Sequence, residues 1–232
     1  MIKIEHIETY GWEAAIRGMR NPLNSWDKSD SFPAVNCEKC GRIEREGMCT
    51  AKGRDCTGFE CFYVGDKDFN LMQNLVAAGP DHSKFMRMIG ISMDITAPLY
   101  WWKEYDTYKV GTVANSCSTM HKIHEKEFTL EDFSYDHLNE KSLYMLNDTI
   151  KYLNAVREAF LDTKDKDYWW QMIQLLPSSY NQRRTVTLNY AVARNQYHAR
   201  KTHKLSEWVD YCRTLEGLPY AELITMEGTR HD

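Results

Sequence analysis

The chain has 232 residues, 43% of them hydrophobic, with 29 basic and 33 acidic side chains and a formal net charge of -4. That length and apolar content suit one sizeable domain with a core of its own. The charge excludes a nonspecific coat for nucleic-acid polymers, which needs a concentrated basic surface, and leaves small anionic ligands open, since a local basic pocket needs no basic protein.

The N-terminus, MIKIEHIETYGW, alternates apolar and polar residues, so it is expected to form a strand led by Ile2, Ile4 and Ile7 and not a signal peptide. No run of about 18 apolar residues occurs, so no membrane-spanning segment is expected. The expectation is a cytoplasmic protein whose seven cysteines meet a reducing environment. Trp12 to Arg20 follows as a short helix that Asn21-Pro22 ends. The loop after it, with Ser25, Trp26 and Asp27, reads as a structured surface turn.

Five of the seven cysteines fall together: Cys37, Cys40, Cys49, Cys56 and Cys61. The opening C-x-x-C-G can set two thiolates on one tetrahedral metal, and two of the later three would complete a four-sulfur site. Structural zinc is the first reading of this Cys-rich insertion at residues 33–65, ahead of free or redox-active thiols and of an iron-sulfur cluster.

Asp68 to Ala78 has helical spacing in Phe69, Met72, Leu75 and Val76, closed by Gly79-Pro80. From Phe85 to Thr96 the period changes to two, with Phe85, Ile89, Ile91, Met93 and Ile95 on one side, which predicts a strand ended by Ala97-Pro98. Trp101, Trp102 and Tyr105 share a helical turn and read as core or interface packing. Gly111 to Thr119 is rich in small hydrogen-bonding side chains, which suit either a ligand pocket or a long Ser/Thr turn. Cys117 in that run reads as a small thiol, not a nucleophile, because no basic partner stands beside it in sequence. Phe128 to Leu138 is a connection, Leu143 to Phe160 a long amphipathic helix, DYWWQMIQLL a further helix before Pro177, and Leu205 to Leu215 a last one ended by Gly217.

Thr185 to Trp208 reads as a helix with an unusually polar face carrying Asn189, Asn195, Arg200 and His203. Eleven residues separate Asn189 from Arg200, close to a whole number of turns, so the two are expected to share a stripe about 16 Å long, the length of an extended cofactor or nucleotide.

This segment resembles the flavin-dependent thymidylate synthases (the ThyX family). Their C-terminal part runs from Leu-Pro through twelve residues to an Asn, six to a second Asn and five to an Arg, a spacing that Leu176-Pro177, Asn189, Asn195 and Arg200 match, with His203 one position from the family's His. The upstream signature, Arg-His-Arg-x-x-Ser-x-Asn-Glu-x-Ser-x-Arg, falls on Thr107 to Thr119, where Lys109 stands for an arginine and Thr112 for a serine. A register shifted by one sets Asn115 and Ser118 on the family's Asn and Ser instead. His82-Ser83 resembles the His-x-Thr ahead of the family's strand.

The resemblance implies an α+β fold with an antiparallel sheet packed against long helices, one domain over residues 1–232, and a homotetramer with sites at subunit interfaces. It implies FAD held by His82, Ser83, Lys109, Thr112, Asn115, Asn189, Asn195 and His203, and a dUMP-like nucleotide held by Ser118 and Arg200. Methylenetetrahydrofolate and NADPH would be the co-substrates for one-carbon transfer to the pyrimidine C5. Two other readings keep the fold: a flavoenzyme modifying a different nucleotide, and a nucleotide-binding or regulatory protein without flavin chemistry.

The metal reading has a direct check. Cys37→Ser with Cys40→Ser is expected to abolish stoichiometric zinc, measured by elemental analysis of the purified protein; a full complement of zinc in that variant refutes it.

Overall fold

Apolar alternation builds the main sheet of the computed structural model, which describes residues 2–34 and 61–227. In strand β4 (Gly90–Pro98) Ile91, Met93, Ile95 and Ala97 are buried, while Ser92, Asp94 and Thr96 face the other way, half-buried. Strands β1 (Lys3–Tyr10), β4, β6 (Asn181–Asn189) and β5 (Val113–Ser116) form a four-stranded sheet in the order β1-β4-β6-β5. The amide of Leu99 donates to the Tyr180 carbonyl at 3.0 Å and that of Tyr190 to Ile89 at 3.0 Å. The partner number falls as the other rises, so β4 and β6 are antiparallel. In β1, His6 takes φ 52°, which resets the alternation and leaves Ile4 and Ile7 both half-buried although they are three apart.

The strand expected from Phe85 starts later. Lys84–Arg87 form a 3-10 turn in which Phe85 and Met86 are buried, and β4 begins at Gly90. At Gly90 the Tyr10 ring lies across the backbone, so that a Cβ there would come within 2.3 Å of it and the ring would have to shift. The single helix expected over Thr185 to Trp208 is also corrected. Residues up to Asn189 finish β6, helix α6 spans Tyr190–Arg200, and α7 begins after a turn (Ser206–Glu216). The alternating run Thr185-Val186-Thr187-Leu188, β-branched at its first three residues, favours strand, and Asn189 then starts the helix.

The described chain divides into two compact units of interleaved segments. One holds residues 1–5, 94–107 and 114–185. In it, α4 (Glu140–Thr163) and α5 (Lys166–Leu175) form a hairpin turned by Lys164 at φ 60° and Asp165, whose carboxylate accepts from the Asp167 amide at 3.0 Å. Leu146, Ile150, Leu153 and Val156 of α4 pack with Met172 of α5, Phe128 and Phe133, each such side chain contributing about 1.5–3 kcal/mol by burial. Helix α3 (Leu99–Tyr105) buries Trp101, Trp102 and Tyr105, as its spacing predicts. The Trp102 indole donates to the Gln182 carbonyl at 2.9 Å, and the Arg184 guanidinium lies 4.2 Å from its ring while pairing with Asp106.

The other unit holds the described residues of 6–93, 108–113 and 186–232. Helix α1 (Trp12–Arg20) has the bounds that its sequence predicts. It begins after Gly11 at φ 84°, where a Cβ would meet the Met88 carbonyl oxygen at 2.1 Å. Trp12, Tyr190 and Tyr220 cluster with ring centroids 5.2 and 5.0 Å from Trp12, and Tyr190 donates its hydroxyl to the Pro219 carbonyl at 2.6 Å. A short antiparallel pair, β2 (Phe32–Ala34) with β3 (Cys61–Tyr63), matches Phe32 to Tyr63. Of the proposed metal ligands, Cys61 opens β3, and Cys37, Cys40, Cys49 and Cys56 lie outside the described residues. Among the described residues no helix is long and apolar enough to cross a membrane.

One buried ion pair ties this unit's loops down. Arg20 donates Nε to Asp68 Oδ1 at 2.6 Å, with 5% and 0% of the two side chains exposed. Its Nη1 and Nη2 reach the carbonyls of Ser25 and Lys28 at 3.1 and 3.2 Å. Asp68 Oδ2 accepts from the hydroxyls of Ser29 and Ser31, both at 2.6 Å, and from the Asp30 amide at 3.2 Å. Asp30 in turn caps helix α2 (Asp66–Ala77), accepting from the amides of Lys67 and Asp68 at 2.9 and 3.1 Å. Burial alone would raise the Asp68 pKa, but Ser29, Ser31 and Arg20 outweigh it and hold the carboxyl below its ordinary range.

Removing one member of such a pair leaves a buried charge alone, so Asp68→Ala is expected to cost about 3–5 kcal/mol in chemical denaturation at neutral pH. Because the folded carboxyl titrates below its ordinary value of 3.8, its contribution is complete above that pH and is lost as pH falls through the folded value. Asp68→Asn therefore flattens the acid side of the stability profile, and an unchanged profile counts against the role.

Candidate functional site

Helix α6 follows β6 without a loop, because Asn189 serves both. It is extended, at φ -129° and ψ 169°, and its side-chain oxygen accepts from the Val192 amide at 3.0 Å. One free donor of the first turn is thereby satisfied and the helix start is fixed. The helix then presents two faces.

The first carries Ala191, Arg194, Asn195 and His198, spaced i, i+3, i+4, i+7. These line a cleft of about 560 Å³ together with Val76 and Ala77 of α2 and the turn residues Ser83, Met86 and Arg87. The volume is that of a small-molecule site, and the mixture of apolar wall with a few polar groups is typical of one. Arg194 Nη1 donates to the carbonyls of Leu223 and Ile224, at 3.3 and 3.2 Å, in helix α8 (Glu222–Thr225). Burial, with only partial compensation from Glu227, lowers the Arg194 pKa. Burial and then the Arg194 charge push the His198 imidazolium below its ordinary value of 6.5, so this ring is neutral at pH 7.

The second face carries Asn189, Val192 and Arg200. Asn189 and Arg200 fall within about 20° of each other around the axis, as expected, whereas Asn195 is about 140° from Arg200. Residues 108–111 run along this face. The Arg200 Nε donates to the Tyr108 hydroxyl at 2.9 Å, and its guanidinium lies 5.6 Å from the Tyr108 ring and 4.9 Å from that of Trp208. At the other end Gly111, at φ 79°, approaches so closely that a Cβ would lie 2.9 Å from Val192 Cγ2 and 3.3 Å from Asn189 Nδ2. His203 packs edge-on to Trp208 at 6.3 Å and accepts from the Leu205 amide at 3.2 Å.

Of the residues singled out from sequence, Ser83 and Asn195 thus share the cleft, and His82 is exposed in the turn before it. Asn189, Arg200 and His203 belong to the second face of α6 and its continuation. Lys109 is exposed, and the Thr112 hydroxyl is turned back on the Tyr108 carbonyl. Asn115 and Ser118 belong to the other unit. Asn115 is exposed on the edge strand β5, and the Ser118 hydroxyl accepts from the amides of Met120 and His121 at 3.3 and 2.9 Å. Cys117 is exposed. Arg87, Arg194 and His198 escape sequence reading. The signal for Arg194 and His198 is their i, i+4 spacing beside Asn195 on one helix face, whereas Arg87, in the turn Lys84–Arg87, carries none.

No protein-family model matches this sequence, and no curated protein does. Solved structures do match. Thymidylate synthase X (ThyX) from Helicobacter pylori with FAD and dUMP aligns with a TM-score of 0.61 and 16% identity, covering 97% of this chain and 96% of that one. A second structure of the flavin-dependent ThyX from Helicobacter pylori, complexed with FAD and dUMP, gives 0.62 and 16% over 97% of each chain. The likeness establishes the fold: α+β, with an antiparallel sheet packed with helices.

The helix start has its own check. Asn189→Ala is expected to lower stability by about 1 kcal/mol and Asn189→Asp to retain most of it, by thermal or chemical denaturation. Equal losses in both variants would deny the capping role.

Proposed function

We propose that this chain is a divergent flavin-dependent thymidylate synthase-like enzyme that transfers a one-carbon unit to C5 of a dUMP-like pyrimidine nucleotide. The observation that carries the reading is the fold likeness across nearly the whole chain to a protein solved with FAD and dUMP. The cleft agrees with it, having apolar walls in Val76, Met86 and Ala191 and hydrogen-bonding groups in Ser83 and Asn195. A bound flavin supplies the redox chemistry, while the protein supplies binding, orientation and electrostatics.

In this reading Ser83 and Asn195 hold the flavin from within the cleft and His82 approaches from the turn. Asn189 and His203 serve the flavin, and Arg200 takes the nucleotide phosphate by exchanging its Tyr108 hydroxyl partner for a charged acceptor. Lys109, Thr112, Asn115 and Ser118 complete the set. Methylenetetrahydrofolate and NADPH as co-substrates, a homotetramer, a cytoplasmic setting and structural zinc on the Cys-rich insertion belong to the same proposal. A second reading, a nucleotide-binding protein without flavin chemistry, draws on the segment from Thr107 to Thr119. Lysine keeps the charge of the family's arginine there but loses its planar fork, and Lys109 is exposed.

The absorbance spectrum of the purified protein, followed by flavin titration, separates these readings. Copurifying or tightly titrating flavin supports the enzyme, and no flavin binding removes it. Growth of a thymidine-requiring strain then supports thymidylate synthesis, and failure despite bound flavin favours a different nucleotide. Arg200→Ala is expected to weaken dUMP binding by roughly 1.5–3 kcal/mol in calorimetric titration; unchanged affinity takes Arg200 out of the site.

A further inference from the structure

The arginines of the described chain are mostly spoken for. Arg17 pairs with Glu13, Arg20 with Asp68, Arg183 with Asp94, Arg184 with Asp106 and Arg213 with Asp210. Arg157 donates to the carbonyls of His124 and Glu125. Two arginines that line the cleft differ. Among the described residues, neither Arg87 nor Arg194 has a carboxylate ion pair, and no carboxylate lines the cleft beside them.

Arg194 is also held in place. Its Nη1 is fixed on the two carbonyls of α8, while Nε and Nη2 make no hydrogen bond among the described residues. A guanidinium oriented at one edge, partly desolvated and only in part offset by Glu227 is an electrostatic cost that an anionic ligand relieves. That carboxylate is itself bonded to Lys201 at 2.6 Å and lies 3.8 Å from His198 Nδ1. The neighbouring His198 ring adds no charge at neutral pH, so the positive charge of the wall comes from the two guanidinium groups. The apolar residues opposite accommodate an uncharged part of the same ligand.

We infer that Arg87 and Arg194 are the phosphate-binding pair of this cleft, gripping the phosphate or diphosphate of its cofactor in place of the arginines missing between Thr107 and Thr119. The assignment rests on the flavin reading for the identity of the cofactor, but on the two arginines alone for the anion. A forked guanidinium suits phosphate oxygens in a way that Lys109 does not.

The test is calorimetric titration of the full-length chain and of Arg87→Gln and Arg194→Gln with inorganic diphosphate, FAD and riboflavin. FAD and diphosphate are expected to bind about tenfold or more weakly in each variant, as for loss of a charge-assisted hydrogen bond, while riboflavin, which has no phosphate, binds all three proteins alike. Diphosphate binding that needs both arginines in a protein that takes no flavin overturns the enzyme reading and upholds the anion site. Failure of diphosphate to bind the wild type, or unchanged FAD and diphosphate affinity in Arg87→Gln, overturns the pair. Arg194 also anchors α8, so if Arg194→Gln loses its fold by circular dichroism, Arg87→Gln decides, because Arg87 has no hydrogen bond or ion pair among the described residues.

Discussion

The join between β6 and α6 is the constraint on which the candidate site depends. An extended residue whose side chain caps the following helix lets a strand become a helix with no intervening loop, and Asn189 does this while the next amide, Tyr190, still bonds to Ile89. The sheet therefore fixes both where α6 begins and how it is rotated. Every later residue inherits that phase at about 100° per position. Asn195, Arg194 and His198 must face the cleft, and Arg200 must face Tyr108 and Trp208. Moving the helix start by one residue would rotate both faces away from their partners.

The Arg20–Asp68 pair does for the opposite wall what Asn189 does for α6. Helix α2 supplies Val76 and Ala77 to the cleft, yet its first turn is capped by Asp30, a residue of a loop that has little core of its own. That loop stays in place because Asp68 gathers the hydroxyls of Ser29 and Ser31 while Arg20 gathers the carbonyls of Ser25 and Lys28. Buried ion pairs are weak evidence for stability in themselves. Here nearly every polar valence is occupied and the network closes on itself, so its consequence is positional: it sets a helix terminus from a distant loop.

Amphipathic helices were the legible part of the chain. The stripes in α1, α2, α4 and α7 give their elements to within a few residues, because a face buried along its whole length repeats often enough to be read. The segment from Thr185 misleads for the converse reason. Four alternating residues of β6 are too short a run to oppose the long polar helix that follows, and Asn189 looks like a face residue until it is seen as a cap. The run from Gly111 to Thr119 shows a second limit. Small polar side chains suit a pocket or an exposed edge equally, and β5 is exposed at every residue. Arginine pairing is further still from sequence. Arg20 and Arg194 look alike in the chain, and only tertiary structure gives one a buried carboxylate and the other two carbonyls and a cleft.

Fold and charge are held to different physical standards, and a likeness of fold at 16% identity does not carry the charges with it. Strand register, a helix phase set by a cap and a glycine such as Gly11, at φ 84° with a Cβ only 2.1 Å from a backbone oxygen, permit few substitutions. A cation that meets a phosphate need only reach it. Several positions on α6 and on the turn after α2 lie around the same cleft, and an arginine at any of them, on a long stem with a forked head, can deliver charge to one place. The cost of relocating it is to leave no carboxylate within reach, and the lining of this cleft meets that condition. The position of charge in such a site is therefore less constrained than its architecture, so one segment of sequence is weaker evidence about the charge of a cleft than all the residues that line it.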